Sequence, residues 1–282
     1  MIRRAVASAL ALATALLAAG IALAEPPALP SPVAPEEESL APADPLPDAQ
    51  AIAQRAEDVM RGEGTRIEAT MTILSRKRSR SRVLSLRFYD DRRNDRALLR
   101  VLAPEKESGT ALLKLPPNLW RFSPGSQETV RIPAPAWNEP FLKSDFLLDD
   151  LLHGSRGVVD YDHRVLEIDL HAGETGDRRA FVVEYAPHPD ARAVWGRIVS
   201  WIDAEVGTPL RVDYYGADGA LFRTLVLEDL REVSGRRFPH RWVMRRAGAK
   251  GGETRIEVDS VRFDPGFEAG LFTTRRLEPG AR

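Results

Sequence analysis

The stretch Arg80–Tyr89, RSRVLSLRFY, places Leu84, Leu86 and Phe88 on one face of an extended chain, with Arg82 and Arg87 among its other residues. Apolar side chains that return at every second position mark a half-buried β-strand, not a helix. The same period runs through Thr65–Leu74 before it and through Asp95–Leu102, Gly109–Leu115, Asn118–Phe122 and Glu128–Ile132 after it. A second set follows at Tyr161–Leu170, Arg179–Tyr185, Val194–Asp203, Pro209–Tyr215, Leu221–Val233, Arg237–Arg245 and Thr254–Phe263. Turn residues separate these segments, among them Asp90-Asp91, Ser123-Pro124-Gly125, Asp218-Gly219 and Ser234-Gly235. About ten to thirteen strands with few helical crossovers predict an antiparallel sheet rather than βαβ units. A sheet of that size curls or closes to protect its edges, so one face can line a cavity while the other meets water.

Two segments break the two-residue period. Asp48 is placed to cap a helix in which Ile52, Ala56, Val59 and Met60 form an apolar stripe, with Gly62 and Gly64 beyond its end. Ser144–His153, SDFLLDDLLH, reads as a short helix with Ser144 as its N-cap and Asp145 in its first turn. Its Phe146, Leu147, Leu148, Leu151 and Leu152 are more than a surface helix needs, so this segment should press on the sheet.

The 282 residues carry 40 Lys and Arg against 41 Asp and Glu, a net charge of −1. That balance argues against nucleic acid as a partner, since phosphate binding draws on a basic excess. The absence of cysteine excludes a disulfide framework, a thiolate metal site, a cysteine nucleophile and a lipidated N-terminal Cys. Arg3 and Arg4, the Ala/Leu run Ala5–Ala19 and the small-residue exit Ala22-Leu23-Ala24 form a secretion signal with cleavage expected after Ala24. Its removal takes the charge from −1 to −3 and sends the protein to the periplasm of a Gram-negative bacterium. Residues 25–47 hold eight prolines, the triplet Glu36-Glu37-Glu38 and no aromatic residue, the composition of a disordered spacer. Residues 48–282 read as one globular domain.

Catalytic and metal signatures are weak. His163 and His171 lie eight residues apart on one strand, on one face but about 25 Å from each other, too far for one ion. Neither Gly154-Ser155-Arg156-Gly157 nor Gly125-Ser126 is a nucleophile elbow. The acidic pairs Asp90-Asp91 and Asp149-Asp150 sit in a turn and on a helix, and no phosphate loop is present. The basic run Arg76–Arg82 reads as a solvated hairpin tip or as a contact for anionic headgroups or an acidic partner. No catalytic residue, metal or cofactor is expected.

One series of motifs is specific. Leu119-Trp120-Arg121-Phe122-Ser123-Pro124, then Val130-Arg131-Ile132, then Ser144-Asp145-Phe146 and Asp149-Asp150-Leu151 resemble, in this order, the signature of the outer-membrane lipoprotein-sorting family of LolA-like periplasmic proteins. Leu98-Leu99-Arg100-Val101 with Pro104, Gly109-Thr110-Ala111-Leu112-Leu113, Tyr214-Tyr215, Pro239 and Phe272-Thr273 extend the resemblance over about residues 50–277. The chain departs from the family at Lys143, where glycine usually precedes Ser-Asp-Phe, and at Leu147-Leu148, which replace an aromatic residue. A loop needing positive φ disfavours lysine there.

The resemblance implies an α+β, mainly β fold. Its strongly curved antiparallel sheet is an unclosed half-barrel, with an N-terminal helix and a short helical lid over the concave face. It also implies a non-enzymatic monomeric carrier of lipoprotein acyl chains or lipid, served by an inner-membrane transporter and an outer-membrane acceptor. Trp120, Phe146, Leu147 and Trp201 are the residues expected to line its cavity. An accessory or sensor protein of the cell envelope is the alternative use of such a fold. A hydrolase, with Ser126, Ser155 and His163 as its candidate residues, is a third.

Overall fold

The computed structural model describes residues 47–74, 81–152, 157–173, 176–191, 193–248 and 252–278. The secretion signal, the spacer up to residue 46, the basic residues at 76–80, His153 and Ser155 lie outside these. Helix α1 (Ala49–Met60) comes first, followed by β1 (Gly64–Leu74), β2 (Ser81–Asp91), β3 (Arg96–Ala103), β4 (Ala111–Leu115), β5 (Asn118–Ser123) and β6 (Glu128–Ile132). Two 3₁₀ turns, Ala134–Asn138 and Phe141–Lys143, lead to helix α2 (Leu148–Leu152). Then come β7 (Tyr161–Gly173), β8 (Gly176–Pro187), β9 (Arg197–Asp203), β10 (Pro209–Tyr215), β11 (Leu221–Val233), β12 (Arg236–Arg246) and β13 (Glu253–Phe263). Every strand expected from alternation is present, and no boundary moves by more than three residues.

All thirteen strands form one antiparallel sheet in the order β6-β5-β4-β3-β2-β1-β13-β12-β11-β10-β9-β8-β7. The sheet does not close into a barrel. Its free edges are β6 and β7, and the chain passes directly from one to the other through residues 133–160. The segment that joins the edges is therefore a strap, and α2 lies in it. Leu148, Leu151 and Leu152 of α2 and Phe141 and Phe146 before it are buried against Ile67, Met71, Leu84, Leu86, Leu99 and Met244 of the sheet. This is the inner face.

Among the described residues the C-terminal segment covers part of the outer face. Leu98, Ala111, Leu113 and Phe122 pack there against Phe272 and Leu277 of the C-terminal segment. Helix α1 starts where Asp48 accepts a hydrogen bond from the Gln50 amide at 3.0 Å. This helix lies on the inner face instead: it buries Ala53, Ala56 and Val59, packs on β7, β8 and β12, and sets Ala56 in one cluster with Val183 and Ile202. It ends at Arg61, whose guanidinium forks onto Asp90 of β2 at 2.7 and 2.8 Å.

Two sequence expectations are corrected. The Ser144 helix begins only at Leu148, because Asp145 is bonded to the sheet and holds the preceding backbone out of the helix. Ser144 Oγ instead bonds the backbone of Phe146, at 3.1 and 3.2 Å. His163 and His171 also do not share a face. The register of β7 on β8 shifts between Val165 and Glu167, and one extra residue in a strand reverses the side to which later side chains point.

The strap doubles back on itself, with Phe141 N bonded to Phe146 O at 2.8 Å and Leu148 N to Glu139 O at 3.1 Å. That reversal needs Leu142 at φ 45° and Lys143 at φ 64°, the left-handed region. Lys143 is exposed and stands where the resembled family has glycine. Left-handed backbone costs an L-residue about 1 kcal/mol or more, so Lys143→Gly should stabilise the fold by about 1 kcal/mol. Urea unfolding reads this as a raised midpoint at unchanged slope, and an unchanged midpoint would show that Lys143 is not strained.

Candidate functional site

Between the inner face and the strap lies a hollow of about 250 Å³. Ile67 of β1, Phe88 of β2, Leu225 and Leu227 of β11, Trp242 and Met244 of β12 and Phe146 of the strap supply apolar wall. Strand alternation places all but Phe146 here, since each of the others belongs to the set of its strand that points inward. The polar wall groups include paired charges. Arg61 and Asp90 face each other in it, with Arg61 Nη1 also on Glu57 at 2.9 Å. Tyr161, Tyr214, Asp149 and Asp150 also border the hollow. Burial, followed by the charge of Asp150, pushes the Tyr214 phenol far above its usual pKa, so it stays a neutral hydroxyl.

The roof of the hollow is tied down by side chains of four strands. Arg223 of β11 is fully buried and lies between the rings of Trp195 and Tyr214, its guanidinium carbon 4.4 and 4.5 Å from their centroids. It forks onto Asp150 of α2, with Nη1 2.6 Å from Oδ2 and Nη2 on Oδ1, and Nη1 also donates to the Asp145 carbonyl at 3.1 Å. The Asp145 carboxylate takes Arg246 Nε of β12 at 3.0 Å and the Thr254 hydroxyl of β13 at 2.9 Å. Arg82 of β2 donates to the Leu142 carbonyl. Asp150 also accepts from the Leu147 amide at 2.6 Å and so shapes the entry into α2. The two acids of the Ser-Asp-Phe and Asp-Asp-Leu motifs thus act as ties between strap and sheet.

The residues singled out in the sequence separate in space. Phe146 is buried and faces the hollow; Asp150 faces it too, and so does Leu151. Leu147 is buried and bridges to Pro140 within the strap, outside the lining. Trp120 alternates with Leu119 on β5: Leu119 points inward opposite Ile132 of β6, while Trp120 joins the outer cluster with Phe272. Trp201 is likewise on the outer face, where its Nε1 bonds Asp169 at 3.2 Å and Arg211 stacks on its ring at 4.7 Å. Its neighbours Ile198 and Ile202 take the inward positions of β9. Arg131 bonds the Asn118 side chain at 3.3 Å, and Pro124 lies in the β5–β6 turn.

Sequence reasoning missed Arg223, Arg246, Thr254 and the Arg61–Asp90 pair. A signal for Arg223 existed, because it interrupts the apolar alternation Leu221, Leu225, Leu227 on one face of a strand. A charge at such a position requires a buried partner.

Among the described residues no group of three or more His, Asp or Glu is placed to hold a metal. No described helix is long and apolar enough to cross a membrane. His188 pairs with Asp162 at 3.1 Å, and Ser126 Oγ donates to the Ser123 carbonyl at 3.5 Å in an exposed turn.

A family model described as "Uncharacterized protein" matches residues 93–279, more than half of the chain. No curated protein matches the sequence. Among solved structures, an outer membrane lipoprotein-sorting protein domain from Vibrio parahaemolyticus is similar at 23% identity and a TM-score of 0.70, over 81% of this chain and 97% of that one. A DUF1329 family protein from Desulfovibrio piger is similar at 21% identity and a TM-score of 0.72, over 81% and 97% of the two chains. A LolA superfamily protein from Nitrosomonas europaea is similar at 17% identity and a TM-score of 0.67, over 80% and 97%. At these identities the likeness is one of fold.

Replacing Arg223 leaves Asp150 of the strap without its fork. Arg223→Met should lower the unfolding free energy by about 3 kcal/mol or more, measured in urea. Arg223→Lys keeps the charge but neither the fork nor the stacking, and should recover less than about half of that loss. Full recovery with lysine would show that charge alone holds the strap.

Proposed function

The chain belongs to the family whose model spans residues 93–279, its fold is that of LolA-like lipoprotein-sorting proteins, and we propose that it is a non-enzymatic periplasmic carrier of acyl chains. Residues 1–24 are its secretion signal, 25–47 its spacer and 48–282 its carrier domain. The cargo is a lipid or the acylated end of a lipoprotein, received from an inner-membrane transporter and passed to an acceptor at the outer membrane.

The observation that carries this reading is the apolar hollow of about 250 Å³ beneath a strap tied by ion pairs. An acyl chain in water costs about 0.8 kcal/mol per methylene, so a carrier must offer a dry space and be able to empty it. At roughly 30 Å³ per water-sized group the hollow has room for about eight such groups, less than a whole membrane tail. Loading therefore requires the strap to lift. Lifting it breaks the polar ties and uncovers Phe141, Phe146, Leu148, Leu151 and Leu152, but it breaks no strand pairing. A closed barrel has no such freedom.

Native mass spectrometry of the protein recovered from periplasm without delipidation should show a bound lipid mass. Ala97 borders the hollow and is 3% exposed, so Ala97→Trp should fill the space. It should weaken binding of a fluorescent fatty acid by about tenfold or more while unfolding stays cooperative. Wild-type protein that is always empty and takes up no fatty acid would overturn the proposal.

A further inference from the structure

We propose that Tyr214 is the polar contact for cargo in the hollow, its hydroxyl donating a hydrogen bond to the neutral carbonyl oxygen, ester or amide, through which an acyl chain is linked. The inference rests on the carrier reading and adds what the hollow selects. It takes the linked end of an acyl chain, carbonyl included, in preference to bare hydrocarbon.

Several polar side chains around the hollow are spent on other partners. Arg61 forks onto Asp90, Thr65 Oγ1 accepts from Gly62 N at 3.0 Å, and Trp242 Nε1 donates to Pro239 O at 2.9 Å. Both oxygens of Asp150 are taken by Arg223, and Oδ2 also by the Leu147 amide. Tyr214 differs. It borders the hollow, and its ring is held between neighbours, with the Arg223 guanidinium 4.5 Å and the Trp195 ring 5.2 Å from its centroid. Among the described residues nothing hydrogen-bonds its hydroxyl. A phenol withdrawn from water normally finds such a partner. Here the ring is fixed in advance beside a space that can hold one.

The surroundings fix which acceptor suits it. Burial and the nearby carboxylates keep the proton on Tyr214, so it stands as a donor. Asp149 and Asp150 both border the same hollow, and the charge of Arg223 is already committed to Asp150. An ionised fatty-acid carboxylate at Tyr214 would set a further negative charge beside these two. An ester or amide oxygen accepts the same bond without that charge. A free fatty acid instead enters with its tail inward and its carboxylate left in water. Strand register supplies the rest of the path. Tyr214 lies opposite Arg223 of β11 and Ile198 of β9, and Leu225 and Leu227 continue the inward side of β11. Methylenes that follow a carbonyl held at Tyr214 therefore meet apolar wall.

The test is methyl octanoate, isotopically labelled at its carbonyl, bound to the secreted protein and read by infrared spectroscopy. A hydrogen bond lowers the stretching frequency of a carbonyl. Wild type should hold the ester with its band below the position found in hexane, and Tyr214→Phe should return the band to that position. In displacement of a fluorescent fatty acid, the advantage of methyl octanoate over decane should fall about fivefold in Tyr214→Phe. It should stay as in wild type in Tyr215→Phe, whose ring stacks with Arg197 on the opposite face of the sheet. An ester band that is the same in wild type and Tyr214→Phe overturns the contact, as does an equal loss in Tyr215→Phe. Mild alkali cleaves esters and spares amides, so alkaline methanolysis of lipid extracted from the periplasmic protein tells the two linkages apart, and a cargo with neither overturns the inference. Uptake of fatty acid with an unshifted ester band defeats this inference alone. Wild type that takes up neither ester nor fatty acid defeats the carrier reading and this inference with it.

Discussion

A guanidinium fully withdrawn from water, stacked between Trp195 and Tyr214 and forked onto Asp150, holds the roof of the hollow in place. Burying such a pair costs several kcal/mol per ion, repaid only when the geometry is good and further hydrogen bonds are made. Here the Asp145 carbonyl adds one on Arg223, and Arg246 and Thr254 add two on the neighbouring carboxylate. An apolar lid without these ties would slide over an apolar sheet with little preference for one position. Fixed donors and acceptors give the strap one seat, and leaving it means breaking several bonds together. A carrier needs that behaviour, a closed state and an open one with little between.

The topology explains why the ties are needed. The sheet leaves both edge strands, β6 and β7, without a sheet partner on one side, and the only chain that joins them is the strap. Closing the barrel by strand pairing would remove the edges but would also seal the space inside. The fold keeps the space accessible and closes it instead with side chains. Apolar residues of the strap pack on the inner face beneath it, and the gap beside them is the hollow. Lys143, in the left-handed backbone where the strap reverses, is a local cost borne by the same device.

The sheet was readable from the sequence because inward and outward residues alternate on nearly every strand, and turn residues mark where each ends. Which face a residue took was readable only where alternation was unbroken. His171 was misplaced because a bulge in β7 leaves no mark in a single sequence. Trp120 reads as a cavity wall because it stands in the signature motif, and Trp201 because it precedes a turn. Each sits one position out of step with the inward set of its strand, beside Leu119 in one case and between Ile198 and Ile202 in the other. The motif around Asp145 and Asp150 was visible, yet its partners were not. Arg223, Arg246 and Thr254 lie 73 to 109 residues away in the chain, and only the strand order brings them to it.

The most direct test of the account is amide hydrogen exchange along the strap, residues 141–152, in the wild type and in Asp150→Asn. If the carboxylate seated on Arg223 holds the roof down, the variant's exchange should rise about tenfold more over these residues than in β11, β12 and β13. Exchange in the strap that is indifferent to the loss of that charge, or that rises equally throughout the sheet, would contradict it.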